Sequence, residues 1–184
     1  TEVTPSGTIA LEMTLPAGVW SYRVMRDEVQ LTLNVKLAIE GLYNSVTDKL
    51  EMKDTVNLFL RNSVSPYNIV DSLKTVVDSV TMNGNYRFYN VPTGVYYFSI
   101  KHRNGLETWS KAGGQSFTTG GVYNYNFTNE ASKAYGDNQK LKGSKYCIYS
   151  GDTNQDGIID ATDMSQVEND ASLSLIGYNP TDVN

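Results

Sequence analysis

The segment VQLTLNVKLAIE, residues 29–40, most constrains the fold, because apolar and mostly polar residues alternate along its length. Every second residue from Leu31 to Ile39 is apolar. A period of two places successive side chains on opposite faces of a β-strand. The segment is therefore predicted to form a long strand with one buried face.

Further segments with strand character follow at short intervals. Thr55–Asn62 repeats the alternation, and Asn83-Gly84 is a turn signal between two β-rich runs. Two later segments place bulky side chains on one face: Tyr96, Phe98, Ile100 and His102 in one, and Tyr123, Tyr125 and Phe127 in the other. About seven strands without a long helix predict a mainly β chain, with an antiparallel β-sandwich over residues 29–128. The stretch VPTGVYYFSIKH resembles a hairpin of immunoglobulin-like and prealbumin-like accessory domains of secreted bacterial proteins, which implies that kind of sandwich.

Three segments lie outside the predicted sandwich. Residues 1–28 contain GTIALEMTLPAG, an N-terminal arm or strand. It is either the first strand of the sandwich, the end of a preceding domain, or an arm that pairs with a neighbouring subunit. Residues 129–149 are a polar connector whose final β-like run is expected to dock the C-terminal appendage, residues 150–184.

The appendage opens with SGDTNQDGIIDATDMSQV, whose oxygen-bearing residues have the spacing of a twelve-residue calcium loop. The predicted Ca²⁺ ligands at loop positions 1, 3, 5, 7, 9 and 12 are Asp152, Asn154, Asp156, the carbonyl of Ile158, Asp160 and Asp163. Gly157 is expected at the sharp turn because a Cβ would clash there, and the Ile158 side chain is expected to point into the core. The alternative is an Asp-rich turn that caps the following helix.

An Asp at the last loop position, before an apolar helix, resembles the calcium repeat of type I dockerins. That family carries two repeats, and PTDVN places Asp182 and Asn184 at positions 1 and 3 of a second loop, which is truncated. The resemblance implies a cohesin partner, but the MSQVENDASLSLIG helix lacks the Lys-Arg pair of the family. Asn169-Asp170 adds oxygen ligands near the loop.

IEGLYN, KHRNGLETWS, YNYNFTNEASKAYG and GSKYCIYSGDTNQDGIID together resemble a module of secreted Bacteroidetes proteins. In that module an immunoglobulin-like sandwich precedes dockerin-like calcium repeats. The resemblance implies export to the cell surface, through the type IX route, and implies no activity. Composition agrees: 13 Tyr, 15 Gly and only 19 % charged residues are typical of extracellular β-proteins whose signal segment has been removed.

Several function classes are disfavoured by the sequence. The net charge is −5 and the basic residues are scattered, which argues against a nucleic-acid-binding protein. The sequence has no apolar run long enough to predict a membrane span. A single histidine, His102, and a single cysteine, Cys147, are expected to be structural, so an enzyme is not predicted. Trp109 and several tyrosines form either a carbohydrate-stacking platform or ordinary core and cross-strand pairs, and the second is favoured.

The sequence thus predicts a non-enzymatic module, secreted or on the cell surface, with a calcium-stabilised C-terminal loop. Its expected partner is another extracellular protein or a second copy of the chain, joined through the N-terminal arm into a fibre. The alternative is an accessory module of a secreted hydrolase that binds carbohydrate or cohesin.

Overall fold

The computed structural model describes residues 2–3, 8–14, 20–26 and 29–182. This part of the chain is mainly β and contains one α-helix, α1, at Ala161–Ser172. The strands are β1 (Glu2–Val3), β2 (Thr8–Thr14), β3 (Trp20–Arg26), β4 (Gln30–Lys36), β5 (Tyr43–Asn44), β6 (Lys49–Leu50), β7 (Asp54–Asn62), β8 (Ile69–Val77), β9 (Asn83–Tyr89), β10 (Gly94–His102), β11 (Thr108–Trp109), β12 (Gln115–Phe117), β13 (Val122–Asn126), β14 (Lys140–Lys142) and β15 (Lys145–Cys147).

Two sheets form the body of the molecule. The larger has the order β11-β10-β7-β8, with β12 also paired to β10, and all of its pairs are antiparallel. The smaller has the order β13-β4-β9. Their buried faces contribute to one hydrophobic core, an arrangement consistent with the predicted β-sandwich.

The core is built from the alternating positions that the sequence indicates. Along β4, β7 and β9 buried side chains alternate with more exposed ones. The largest fully buried side chains are Tyr43, Tyr86, Phe88, Phe98, Phe127, Leu31, Leu33, Leu37, Ile39, Leu58, Leu60 and Met82. Tyr96, Phe98, Ile100 and His102 are all buried, which confirms the predicted face of β10.

The first predicted strand ends earlier than its alternation suggests. β4 stops at Lys36, although Leu37 and Ile39 remain fully buried. Beyond Lys36 the backbone leaves β9 and bonds with the connector: the Ile148 N–H donates to the Ala38 carbonyl at 2.9 Å, and the Glu40 N–H donates to the Ile148 carbonyl at 3.0 Å. The end of the connector therefore joins the body of the molecule at this point.

The turn predicted at Asn83-Gly84 is placed wrongly, because both residues begin β9. The chain reverses one step earlier, where the Asp78 side chain accepts the Val80 and Thr81 N–H groups at 3.1 and 2.9 Å. The flanking strands are not a hairpin, since β8 pairs with β7 and β9 pairs with β4. The connection thus crosses between the two sheets.

The expectation of a wholly antiparallel sandwich is also wrong at one edge. β13 lies parallel to β4, with Tyr123 opposite Leu33 and Tyr125 opposite Val35. The parallel pairing is possible because β13 reaches β4 through a long connection rather than a tight turn. It still places Tyr125 and the adjacent Phe127 in the core.

The N-terminal segment contains more strands than the one expected. β1, β2 and β3 form a three-stranded antiparallel sheet of their own, in the order β1-β2-β3. The pairing of β2 with β3 runs from Thr8 opposite Arg26 to Thr14 opposite Trp20.

Candidate functional site

The predicted calcium loop lies against the end of β10 and immediately before α1. The Gly151 N–H donates to the Asn104 carbonyl at 2.7 Å, and an isolated antiparallel bridge joins Gly105 to Ser150. The Gln155 side chain reaches back to the Gly105 carbonyl at 3.4 Å. These contacts fix the start of the loop relative to the larger sheet.

Three of the predicted ligands make local side-chain-to-backbone hydrogen bonds. Each uses one oxygen, Oδ1, to accept the N–H two residues further along the chain. Asn154 accepts from Asp156 at 2.9 Å, Asp156 from Ile158 at 2.9 Å, and Asp160 from Thr162 at 2.7 Å. The bonds coil the loop while occupying only one site on each Oδ1, so lone pairs remain on all three side chains.

Asp163 closes the loop and starts the helix. It is 3 % exposed, and its Oδ1 accepts the N–H groups of Thr153 and Asn154 at 2.8 and 3.2 Å. Its Oδ2 accepts the Asp160 N–H at 2.9 Å, which completes a capping box with Asp160 as N-cap. The bond from the Asp160 N–H, helped by the other donors, holds the pKa of Asp163 below its ordinary value despite burial.

Asp152 is the most unusual member of the loop. It is fully buried, and its Oδ2 accepts the Gly157 N–H at 3.3 Å. Its Oδ1 is buried without a hydrogen-bond partner. Burial, reinforced by the nearby charges of Asp163 and Asp156, raises the pKa of Asp152 above its ordinary value.

Two expectations about the loop are corrected. Gly157 has φ of +89°, but nothing lies within 4 Å of the place its Cβ would occupy, so the backbone conformation and not a clash requires glycine. The Ile158 side chain does not enter the core and is 61 % exposed. Its outward position follows from the loop lying at the rim of the larger sheet.

Among the residues that the structure describes, no three His, Cys, Asp or Glu side chains are gathered as a metal-binding group. In the loop the carboxylates are turned toward backbone N–H groups. Two of the predicted ligands are of other types, the amide oxygen of Asn154 and the carbonyl of Ile158. The helix-capping alternative also describes the Asp160–Asp163 pair, but it leaves the bare Asp152 oxygen without a role.

The residues expected to add a second ion site are engaged in other contacts. Asp170 accepts the Thr181 hydroxyl at 2.6 Å. The Asp182 carbonyl accepts hydrogen bonds from Arg103 at 2.9 Å and Asn104 at 2.6 Å. Asn184 lies outside the described residues.

A buried polar cluster that the sequence did not predict holds the C-terminal segment. His102 Nε2 lies 2.9 Å from Asp54 Oδ2, and the Tyr178 hydroxyl donates to the other oxygen of Asp54. The Arg103 guanidinium lies over the Tyr178 ring, 4.3 Å from its centroid, and donates to the Asn179 carbonyl at 2.7 Å. The cluster thus joins β7 and β10 to the chain that returns from α1.

The electrostatics of this cluster favour an ionised Asp54. Burial raises the pKa of its carboxyl, but hydrogen bonds from Tyr178, His102 and the Thr55 N–H outweigh burial, and the pKa lies below its ordinary value. Arg103 Nε, 3.4 Å from Asp54 Oδ2, adds a permanent positive charge. The sequence carried one signal for the cluster: Asp54 and His102 occupy core-facing positions of their strands, where a polar side chain needs a partner.

The other two singled-out residues lie apart from the loop. Cys147 is a fully buried free thiol, and burial raises its pKa to about 12. Trp109 is half-buried on β11 and lies beside Tyr67 and Tyr97.

Comparison of the chain with protein-family models, with curated proteins and with solved structures finds no match in any of the three. In the described part of the chain, no helix has the length and apolar character that a membrane crossing requires.

Proposed function

We propose that this chain is a non-enzymatic module of an extracellular or cell-surface protein, with an immunoglobulin-like or prealbumin-like sandwich and a C-terminal loop that calcium stabilises. The observation that carries the proposal is the buried, unpartnered Oδ1 of Asp152 in a loop with calcium-ligand spacing. The dockerin-like pattern of the loop accords with it.

The burial of Asp152, with one carboxylate oxygen that has no hydrogen-bond partner, favours a bound cation. An ionised carboxylate that is buried without a partner costs several kcal/mol, so it must take up a proton or meet a positive charge. Its pKa is raised chiefly by burial and further by the neighbouring Asp163 and Asp156, and these effects outweigh the Gly157 N–H bond and the nearby charge of Lys101. A divalent cation bound to the Oδ1 of Asp152 would supply a positive charge to this carboxylate and would offset its repulsion with Asp163 and Asp156.

The ligand types fit calcium. Asp152, Asn154, Asp156, Asp160, Asp163 and the Ile158 carbonyl offer only oxygen, the donor that a hard cation prefers. The Oδ1 atoms of Asn154, Asp156 and Asp160 each accept one local N–H, so oxygen lone pairs remain for an ion. The ion would neutralise the loop carboxylates and would hold the loop in one conformation. The residues themselves tie the loop to α1 through Asp163.

Such a loop suits the extracellular space. Twelve-residue calcium loops span a wide range of affinity, and those of modules that work outside cells bind with dissociation constants of about 10⁻⁴–10⁻³ M. At a concentration of about 10 times Kd, binding adds about 1.4 kcal/mol to the stability of the folded state. A structural role requires no more than that.

The buried positions of His102 and Cys147 support a non-enzymatic role. Both side chains are 1 % exposed or less. A thiol whose pKa is about 12 carries almost no thiolate at neutral pH, so Cys147 is a poor nucleophile. His102 is committed to Asp54 and Asn104 on its two ring nitrogens, at 2.9 and 2.8 Å.

We expect the partner to be another extracellular protein or a second copy of this chain. The β1-β2-β3 sheet offers strand edges for such pairing, since the outer edge of β3 has no partner among the described strands. A cohesin is the alternative partner, through the exposed residues of α1. The segment after α1, held by Arg103, would then orient α1 for a cohesin.

Limited proteolysis tests the proposal. With millimolar calcium, residues 150–182 should resist a protease that cleaves them within minutes after chelation, while fragments of residues 29–149 persist in both conditions. Asp152→Asn should be cleaved at the chelated rate even with calcium, and Asp71→Asn, on the distant strand β8, should behave like the wild type. Equal cleavage of the wild type with and without calcium would contradict the proposal.

A further inference from the structure

Four aromatic side chains form a surface pocket on the side of the larger sheet that faces away from the core. The described residues that line it are Tyr67, Tyr97, Trp109 and Tyr135, and its volume is about 310 Å³. We call this pocket the aromatic cup. Tyr97 and Trp109 come from β10 and β11, whereas Tyr67 and Tyr135 come from the loop after β7 and a short 3₁₀ helix, Tyr135–Asp137.

The rings form walls rather than a flat stack. Tyr67, Tyr97 and Trp109 are mutually 5.8 Å apart between centroids, with interplanar angles of 85°, 85° and 60°. Tyr135 lies 6.2 Å from Tyr97 at 74°. Steep angles between neighbours create a concave surface that presents ring faces and edges to one small volume.

The base of the cup is held rigidly by polar contacts on the same sheet face. Arg61 is opposite Tyr97 in the β7–β10 register, and its Nε donates to the Ser99 hydroxyl at 3.0 Å. Its guanidinium pairs with Glu107 at 3.1 Å and lies 4.7 Å from the centroid of the Trp109 ring. One side of the indole is therefore packed by Arg61, which orients the ring toward its tyrosine neighbours.

The loop wall is held in an unusual backbone conformation. Tyr67 has φ of +58°, a left-handed value that a bulky residue seldom adopts. The Tyr67 N–H donates to the Val64 carbonyl at 2.9 Å, yet the side chain is 39 % exposed. Backbone strain of this kind concentrates at ligand-binding positions, and here it places a half-exposed ring across the pocket instead of in the core.

We propose that the aromatic cup binds the ring of a neutral saccharide. The C–H face of a sugar ring carries a partial positive charge and packs against the negative face of an aromatic ring. The hydroxyl groups on its edge find partners in the tyrosine hydroxyls and in Arg61 and Glu107 at the border. An apolar pocket with a few convergent polar groups is the usual form of a small-ligand site.

The charges around the cup disfavour other ligands that stack on aromatic rings. No lining side chain carries a charge, and the Glu107 carboxylate is already paired with Arg61 at 3.1 Å, so a cationic ligand finds no free carboxylate there. The chain has a net charge of −5, which repels nucleic acid. A neutral polyhydroxylated ring needs no carboxylate partner and is not repelled by the negative charge of the chain.

The probes for the test are soluble neutral polysaccharides: laminarin, xylan, mannan, hydroxyethylcellulose and dextran. Affinity electrophoresis on the full chain should show retardation by at least one of them, and calorimetry with its oligosaccharides should give the dissociation constant. Trp109→Ala and Tyr67→Ala should each weaken binding about tenfold or more, as expected for loss of a stacking ring. Tyr89→Ala is the matched control, because Tyr89 is 46 % exposed but lies on β9 in the other sheet.

Circular dichroism and thermal unfolding show whether each variant is folded, and Trp109→Phe retains a ring if Trp109→Ala does not fold. Trp109→Phe should keep part of the affinity for the polysaccharide. The proposal is overturned if none of the polysaccharides binds, if the Tyr89 variant loses as much affinity as the cup variants, or if tetramethylammonium binds the cup in their place. It does not depend on the calcium loop, so chelation should leave saccharide binding unchanged.

Discussion

Asp54 and His102 lie 2.9 Å apart between Oδ2 and Nε2, with both side chains almost fully buried. The pair is also the point at which the C-terminal segment meets the sheet, since Tyr178 donates to Asp54 and Asn104 donates to the Asp182 carbonyl. Both ring nitrogens of His102 are engaged, with Asp54 at 2.9 Å and with Asn104 at 2.8 Å. Through Tyr178 the pair links the body of the molecule to the segment that follows α1.

Replacing one member of this pair should detach the C-terminal segment. Asp54→Asn removes one of the two carboxylates near Arg103, the other being that of Asp182 at 3.6 Å. The loss should therefore be at or below about 3–5 kcal/mol, the cost of a fully broken buried ion pair. Unfolding by denaturant should report that loss, and hydrogen exchange should show residues 173–182 exposed. Asp71→Asn, at a partly exposed site on β8 where the amide oxygen can still accept the Ser72 N–H, should change stability by less than about 0.5 kcal/mol. Full protection of residues 173–182 in Asp54→Asn would contradict the role of Asp54 in holding this segment.

The same contact predicts a loss of stability in acid. The pKa of Asp54 is lowered on folding, so its contribution is complete above the pKa of the unfolded chain, about 3.9. It is lost as the pH falls through the lower folded value. Denaturant unfolding at pH 7 and pH 3 should therefore show a steeper decline for the wild type than for Asp54→Asn. Parallel pH profiles for the two proteins would contradict this assignment.

Cys147 should be unreactive until the core opens. Burial raises the pKa of its thiol to about 12, and the side chain has no exposed surface. Iodoacetamide at pH 8 should label the folded protein far more slowly than the denatured protein, and Cys147→Ser should change stability without changing any binding property. Rapid labelling of the native protein would show that the thiol is accessible.

Much of the body of the molecule could be predicted because period-two alternation fixes which side chains are buried. The face of β10 that carries Phe98 and Ile100 follows directly from this pattern. The turn at Asn83-Gly84 was misplaced because the Asp78 side chain satisfies the preceding backbone and reverses the chain first. Both turn signals are local, and the Asn-Gly pair is the stronger of the two by sequence, so the sequence alone favours the wrong position.

The contacts between Asp54 and Tyr178 were beyond sequence reasoning for a different reason. They join residues that are 124 positions apart, and they exist only because the chain after α1 returns to the start of β7. The spacing of the oxygen-bearing residues from Asp152 to Asp163 is local and can be read from the sequence, whereas their binding of calcium stays a prediction. The outward position of the Ile158 side chain could not be predicted from the sequence, because it depends on where the loop lies relative to the sheet.

The N-terminal sheet should be separable from the rest of the chain. Among residues whose side chains the structure describes, the core is drawn from Leu31 to Ile148. Deleting residues 1–28 should therefore leave a folded, soluble protein with an unchanged unfolding transition for the body. Sedimentation should show a monomer, whereas the full chain should associate if the sheet pairs between copies. Unfolding of the shortened chain would mean that the segment belongs to the core.

Calorimetric titration of calcium into the full chain tests the central claim most directly. We predict one Ca²⁺ per chain, with a dissociation constant at or below about 10⁻³ M. Asp152→Asn and Asp156→Ala should lose most of this affinity, Asp71→Asn should keep it, and Mg²⁺ should bind much more weakly because the loop does not impose octahedral geometry. Absence of calcium binding to the wild type at millimolar concentration, or equal binding by Asp152→Asn, would contradict the account.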